Sequence, residues 1–169
     1  MSEAAYRNLR ALIVEDNAHM RTLLRTLLGG IGLNAIVEAR DGEEGLSALA
    51  RGPVDFVVSD LTMAPMDGIE FIRRLRDSSE NPFVPVIMVS GHTSRAMVMA
   101  ARDAGVTEFV AKPVTARALC LRIAEIVDRP RPFVRSEDYF GPDRRRHNDA
   151  FHMGPFRREE DRAREMVAI

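Results

Sequence analysis

Apolar residues in this chain fall into short unbroken runs, separated by stretches where they recur every three or four positions. Unbroken runs read as strands buried on both faces, and the wider spacing reads as amphipathic helices. The runs are 9–14, 35–38, 54–60, 84–90 and 108–111. Asn17 caps a helix reaching about Leu28, with Met20, Leu23, Leu24, Leu27 and Leu28 on one face, ended by Gly29, Gly30 and Gly32. Asp41 caps a second helix over 43–51, stopped by Gly52-Pro53, and Asp67 caps a third over 68–76. Thr93 or Ser94 caps a fourth that stops at Gly105, and Thr115 opens a fifth reaching about Asp128. Residues 1–8 read as a loose start and 78–82 as a loop. Five strand–helix units in series predict an α/β fold over residues 1–128: a doubly wound (βα)5 domain with a parallel five-stranded sheet and right-handed crossovers.

The pattern ends at the stiff break Arg129-Pro130-Arg131-Pro132. Residues 129–169 read as a non-domain C-terminal extension, with one short helix over 156–167 from Arg and Glu at i,i+4 spacing. This extension holds 10 of the 24 basic residues, 8 of the 25 acidic ones, and half of the aromatics, so it is more than a solvating tail. In Gly141-Pro142-Asp143-Arg144-Arg145-Arg146, a turn leads into three arginines; Arg144, Arg145 and Arg146 are candidates for gripping phosphate or carboxylate. Aromatics interleaved with arginine suit single-stranded nucleic acid. They suit docking on protein equally, and docking on the output face of the preceding domain or on a second protomer (a homodimer) is the preferred reading.

Composition narrows the setting. A net charge of -1 names no partner. Cys120 is the single cysteine, which excludes an intrachain disulfide and a cysteine-based zinc site. No run is long enough to span a bilayer and the N-terminus is not signal-like, so a cytoplasmic protein without a membrane partner is expected. Of the 24 basic residues, Lys112 is the only lysine. A chain that otherwise uses the planar guanidinium keeps a compact ammonium at the end of its last strand.

The ends of the runs carry the chemistry. The first ends in Glu15-Asp16, the third in Asp60, the fourth in Ser90 and the last in Lys112-Pro113. In a parallel sheet these ends meet on one rim, where open α/β sheets bind ligands. Three carboxylates at one place raise one another's pKa unless a cation neutralises them, and oxygen ligands suit Mg²⁺. Asp16, Asp60 and the backbone carbonyl of Thr62 are the expected ligands, with Glu15 acting through water. A carboxylate is also a covalent nucleophile toward phosphoryl groups, so Asp60 is the candidate acceptor. Lys112 and Ser90 would face the phosphoryl oxygens.

These residues resemble the receiver domain of response regulators in two-component signalling. The resemblance covers about 9–128 and rests on Glu15-Asp16, on Asp60-Leu-Thr-Met-Ala-Pro-Met-Asp-Gly68, and on Ser90, Phe109 and Lys112-Pro113. It implies a flavodoxin-like sheet in strand order 2-1-3-4-5, taken by analogy. It also implies a phosphorelay in which a histidine kinase or phosphotransfer protein phosphorylates Asp60. Ser90 and Phe109 would then act as switch residues, the Lys112-Pro113 bond would be cis, and a downstream protein would read the face of the fourth helix, fifth strand and fifth helix. Such a protein is a regulator rather than an enzyme. A dehalogenase-like phosphatase would want an acid where Thr62 stands, and would need a cap insertion for which there is no room. Two departures are local: Ala64 stands where the family usually has proline, with Pro65 after it, and Phe109 lacks a hydroxyl. The alternative reading is a phosphorylation-independent adaptor, or a nucleic-acid-binding regulator, acting through 129–169.

Overall fold

A computed structural model describes residues 6–77, 81–136, 138–144 and 165–167. The strands are β1 (Arg10–Val14), β2 (Ala35–Ala39), β3 (Phe56–Asp60), β4 (Val86–Ser90) and β5 (Glu108–Ala111). They alternate with α1 (Ala18–Ile31), α2 (Gly42–Ala50), α3 (Gly68–Asp77), α4 (Arg95–Asp103) and α5 (Ala116–Asp128). All four strand pairings in the main sheet are parallel, in the order β2-β1-β3-β4-β5. The doubly wound flavodoxin-like fold expected from the sequence is therefore the fold observed.

Strand alternation divides the core into two layers. Ala11, Ile13, Phe56, Val58, Ile87, Val89 and Val110 face α1 and α5, where Leu24, Leu28, Leu119 and Ile123 are fully buried. Leu12, Val14, Val57, Val86 and Met88 face the opposite way, toward Leu49 of α2, Phe71, Ile72 and Leu75 of α3, and Ala101 of α4. With both faces covered, β3 and β4 have no exposed residue, which is why their sequences do not alternate.

Four helix starts follow the expected caps. The side chains of Asn17, Asp41, Ser94 and Thr115 accept backbone N–H groups of their first turns. Asp67 Oδ1 likewise accepts Glu70 N at 2.8 Å. Helix α1 runs on through Gly29 and Gly30 to Ile31, past its expected end. Those glycines weaken a helix without ending it; the stop is Gly32, at φ 111°, which returns its N–H to Gly29 O while Leu33 N reaches Leu28 O. The loose start also closes earlier than expected, because Tyr6 is already buried in the α1–α5 layer.

The extension is more structured than its composition suggests. β6 (Phe133–Ser136) and β7 (Tyr139–Pro142) form an antiparallel hairpin, and β8 (Glu165–Val167) pairs with the other edge of β6. The helix expected over 156–167 is thus corrected at its end: 165–167 is strand, and the remainder lies outside the described residues. An open edge of backbone donors and acceptors on β6 is satisfied by a paired strand and not by a helix. The hairpin packs beneath the starts of β4 and β5. Phe133 and Phe140 meet Phe83 edge-on at 5.5 and 5.3 Å between centroids.

Beneath those rings lies Arg76, the buried end of α3. Its guanidinium donates to Gly105 O (2.8 and 3.1 Å), Pro82 O (2.7 Å) and Val84 O (2.8 Å), and sits 5.0 Å from the Phe133 ring centre. Burial lowers its pKa to about 9, which leaves it charged at neutral pH.

Candidate functional site

Register alone assembles the site. Val14 pairs with Ser59, Asp60 with Val89, and Ser90 with Ala111, so β1, β3, β4 and β5 end level on one rim. Glu15 and Asp16 follow β1, Asp60 and Ser90 close β3 and β4, and Lys112 follows β5. Carboxylate oxygens of Glu15, Asp16 and Asp60 lie within 4.8 Å of one another. Lys112 Nζ is 3.1 Å from Asp60 Oδ1 and 3.6 Å from Glu15 Oε2. Thr62, Asn17 and Met20 line the same open cleft.

The three acids differ in setting. Asp60 is buried, and its Oδ1 also accepts Leu61 N at 2.9 Å. Asp16 is exposed and accepts Ala64 N at 3.3 Å. Glu15 is buried; its Oε1 accepts Asn17 N at 3.1 Å, whereas Oε2 has no hydrogen-bond partner. Burial is the main reason that the Glu15 carboxyl is pushed above its ordinary value. The Asn17 N–H and Lys112 pull it back, while Asp60 and Asp16 add to the rise. Three carboxylates against one ammonium leave negative charge uncompensated, and the buried Glu15 Oε2 has no hydrogen bond, only Lys112 Nζ at 3.6 Å. That donor set suits a hard metal cation.

Ser90 reaches the rim, but its hydroxyl is engaged in its own loop: Oγ accepts His92 N at 2.9 Å and lies 3.3 Å from His92 O. Phe109 lies half-buried with Met97 of α4 against the α2–α3–α4 layer. Both X-Pro bonds near the site, Ala64-Pro65 and Lys112-Pro113, are cis. Arg144 is on the opposite rim, where it pairs with Asp103 at 3.0 Å and lies 4.0 Å above the Tyr139 ring. Its Nη2 and guanidinium face are therefore engaged within the chain, and Arg145 and Arg146 lie outside the described residues.

Two supporting residues escaped the sequence reading. Arg21 donates to the Glu15 carbonyl at 2.7 Å and pairs with Glu38 at 3.5 Å. Nothing in its spacing marks it, because its partner is a backbone atom. Gly68 opens α3 against the end of β3, where a Cβ would stand 2.2 Å from Asp60 O. The glycine belonged to the quoted motif, but the contact that requires it is three-dimensional.

Known proteins share this arrangement. The description of the response regulator receiver domain matches residues 11–124. Chemotaxis protein CheY-3 of Vibrio cholerae is 36% identical over 123 residues, which cover 73% of this chain and 95% of that protein. Among solved structures, the Borrelia burgdorferi CheX–CheY complex with BeF3 and magnesium matches with TM-score 0.68 and 26% identity, covering 74% of this chain and 98% of the matched one. The Arabidopsis thaliana CKI1 receiver domain, complexed with Mg²⁺ and BeF3⁻, matches with TM-score 0.65 and 27% identity, over 73% and 93%. With the level strand ends, the acid cluster and the lysine already in place, these likenesses settle the family: residues 11–124 make this chain a member of the response regulator receiver family of two-component signalling.

Proposed function

We propose that this receiver is a cytoplasmic phosphorylation switch, with Asp60 as its phosphoacceptor and a histidine kinase or phosphotransfer protein as its donor. The observation that carries the reading is Lys112 Nζ, 3.1 Å from Asp60 Oδ1 inside the three-acid cluster. An oxygen of the Asp60 carboxylate attacks phosphorus. The P–N bond of the donor phosphohistidine breaks, and the imidazole keeps the electron pair and takes a proton from solvent. Lys112 stands where negative charge accumulates on the phosphoryl oxygens. Mg²⁺, held by Asp16, Asp60 and the Thr62 carbonyl and by Glu15 through water, supplies further positive charge there when bound. Ser90 exchanges its His92 partner for a phosphoryl oxygen, and Phe109 repacks beside it. The partner-reading surface is α4, β5 and α5, where Val98 and Met99 are exposed beyond what the core uses. The chain turns over only its own phosphoryl group, so it is a regulator and not an enzyme acting on external substrates.

Intact mass after incubation with Mg²⁺ and a small acyl phosphate tests this. Wild type gains one phosphoryl group, and neither Asp60→Asn nor a magnesium-free control does. Equal labelling of wild type and Asp60→Asn would refute the assignment.

A further inference from the structure

The hairpin of the extension grips the far ends of the same elements whose near ends form the acid site. Strand β5 has four residues. Beyond one end, Lys112 reaches Asp60. At the other, Arg131 donates to Thr107 O and holds Glu108 at 2.7 Å. Strand β4 ends at Ser90, and Phe83, just before its start, meets Phe133 and Phe140 of the hairpin edge-on at 5.5 and 5.3 Å. Helix α4 ends at Asp103, held by Arg144 at 3.0 Å. Gly141 and Gly105 meet so closely that a Cβ on Gly141 would stand 2.8 Å from Gly105 Cα. The hairpin thus fastens β4, β5 and the α4–β5 turn together from below.

We propose that the β6–β7 hairpin is a built-in strap that holds the receiver in its resting arrangement and loosens when Asp60 is phosphorylated. The proposal rests on the phosphoacceptor reading above. A phosphoryl group on Asp60 moves the partner of Lys112 outward and offers Ser90 a new acceptor. Both pulls act along β4 and β5 toward the acid rim, away from the strap. The structure shows the strap engaged while Ser90 is still bonded to His92 and Phe109 is half exposed. Any preference of the strap for that arrangement must be repaid reciprocally: phosphorylation weakens the strap as much as the strap opposes phosphorylation.

Two measurements on the full chain decide it. Amide hydrogen exchange compares β6 and β7 before and after phosphorylation. Faster exchange of residues 133–136 is expected, and unchanged protection overturns the strap without any substitution. Phosphoryl uptake by intact mass then compares wild type with Arg131→Ala, Arg144→Ala, and the reversed pair Asp103→Arg with Arg144→Asp. At equilibrium with the donor, each single variant reaches a ratio of phosphorylated to unphosphorylated chain about fivefold higher or more, and the reversed pair returns toward wild type. Folded single variants with the wild-type ratio overturn the strap. A wild type that takes up no phosphoryl group overturns the phosphoacceptor reading itself, and the strap with it.

Discussion

The two rims of the sheet both bury charge, and they treat it in opposite ways. At the rim opposite the acid site, Arg76 is enclosed by three carbonyl acceptors and an aromatic face, and each of its three side-chain nitrogens donates a hydrogen bond. At the acid rim, Glu15 is as buried as a core valine, yet one of its oxygens has no hydrogen-bond partner, only Lys112 at 3.6 Å, and its other charged neighbours are two more acids. A satisfied buried charge is a structural tie, and its removal strands its partners. A buried charge left unsatisfied among like charges is held there at a cost that something absent from the free protein relieves.

The largest effect should come from breaking the satisfied rim. Arg76→Ala leaves Gly105 O, Pro82 O and Val84 O without their donor and opens a void under Phe133. A loss of about 3–5 kcal/mol is expected by urea denaturation, from the cost of removing one side of a buried charged network. Arg76→Met fills more of the space and should still lose most of this, because a thioether donates nothing. If Arg76→Ala costs little, the arginine is not the tie described.

Filling the unsatisfied rim should do the reverse. Magnesium at a hundredfold over its dissociation constant should stabilise wild type by about 2.7 kcal/mol, read as a rise in thermal midpoint that chelator reverses. Asp60→Asn removes one carboxylate charge from the cluster and should lose most of that rise. Next in size is Gly68→Ala, where a Cβ has no room against Asp60 O. About 1–3 kcal/mol is expected to be lost, since the neighbour is backbone and cannot swing away. The same variant should slow phosphoryl uptake, because relief of the clash displaces the acceptor strand.

How much of this was legible beforehand differs between the rims for a physical reason. The sheet and the acid rim were readable because doubly covered strands run unbroken, and strand ends in a parallel sheet share one edge. Asp16, Asp60 and Lys112 could therefore be placed together from sequence positions far apart. The opposite rim was not readable. Its hairpin is stabilised by Arg76, Phe83 and Gly105, which lie 36 to 57 residues away from their hairpin partners and carry no local periodicity. Read by composition, residues 133–144 look like tail; only the surface they cover makes strands of them. Arg144 illustrates the point, since a residue that looked free to hold an external anion is committed to Asp103 and Tyr139.

The smallest expected effect is the most discriminating, because its sign is unusual. Burial and the neighbouring acids raise the pKa of Glu15 in the folded chain, so the folded state holds that proton more tightly than the unfolded one. In chelator, the contribution of this group to stability is therefore greatest below the ordinary carboxylate range. It falls as pH climbs through that range, and the loss is complete above the raised folded value. Glu15→Gln has no such proton to lose. At neutral pH without metal it should be slightly more stable than wild type, and its stability should lack this part of the pH slope. Adding magnesium should then reverse the order, because wild type gains a compensated carboxylate and the variant does not. A Glu15→Gln protein that is less stable than wild type in chelator would mean that the orphaned oxygen is held by the fold for its own sake. The distinction between the two rims would then fail at its most buried acid.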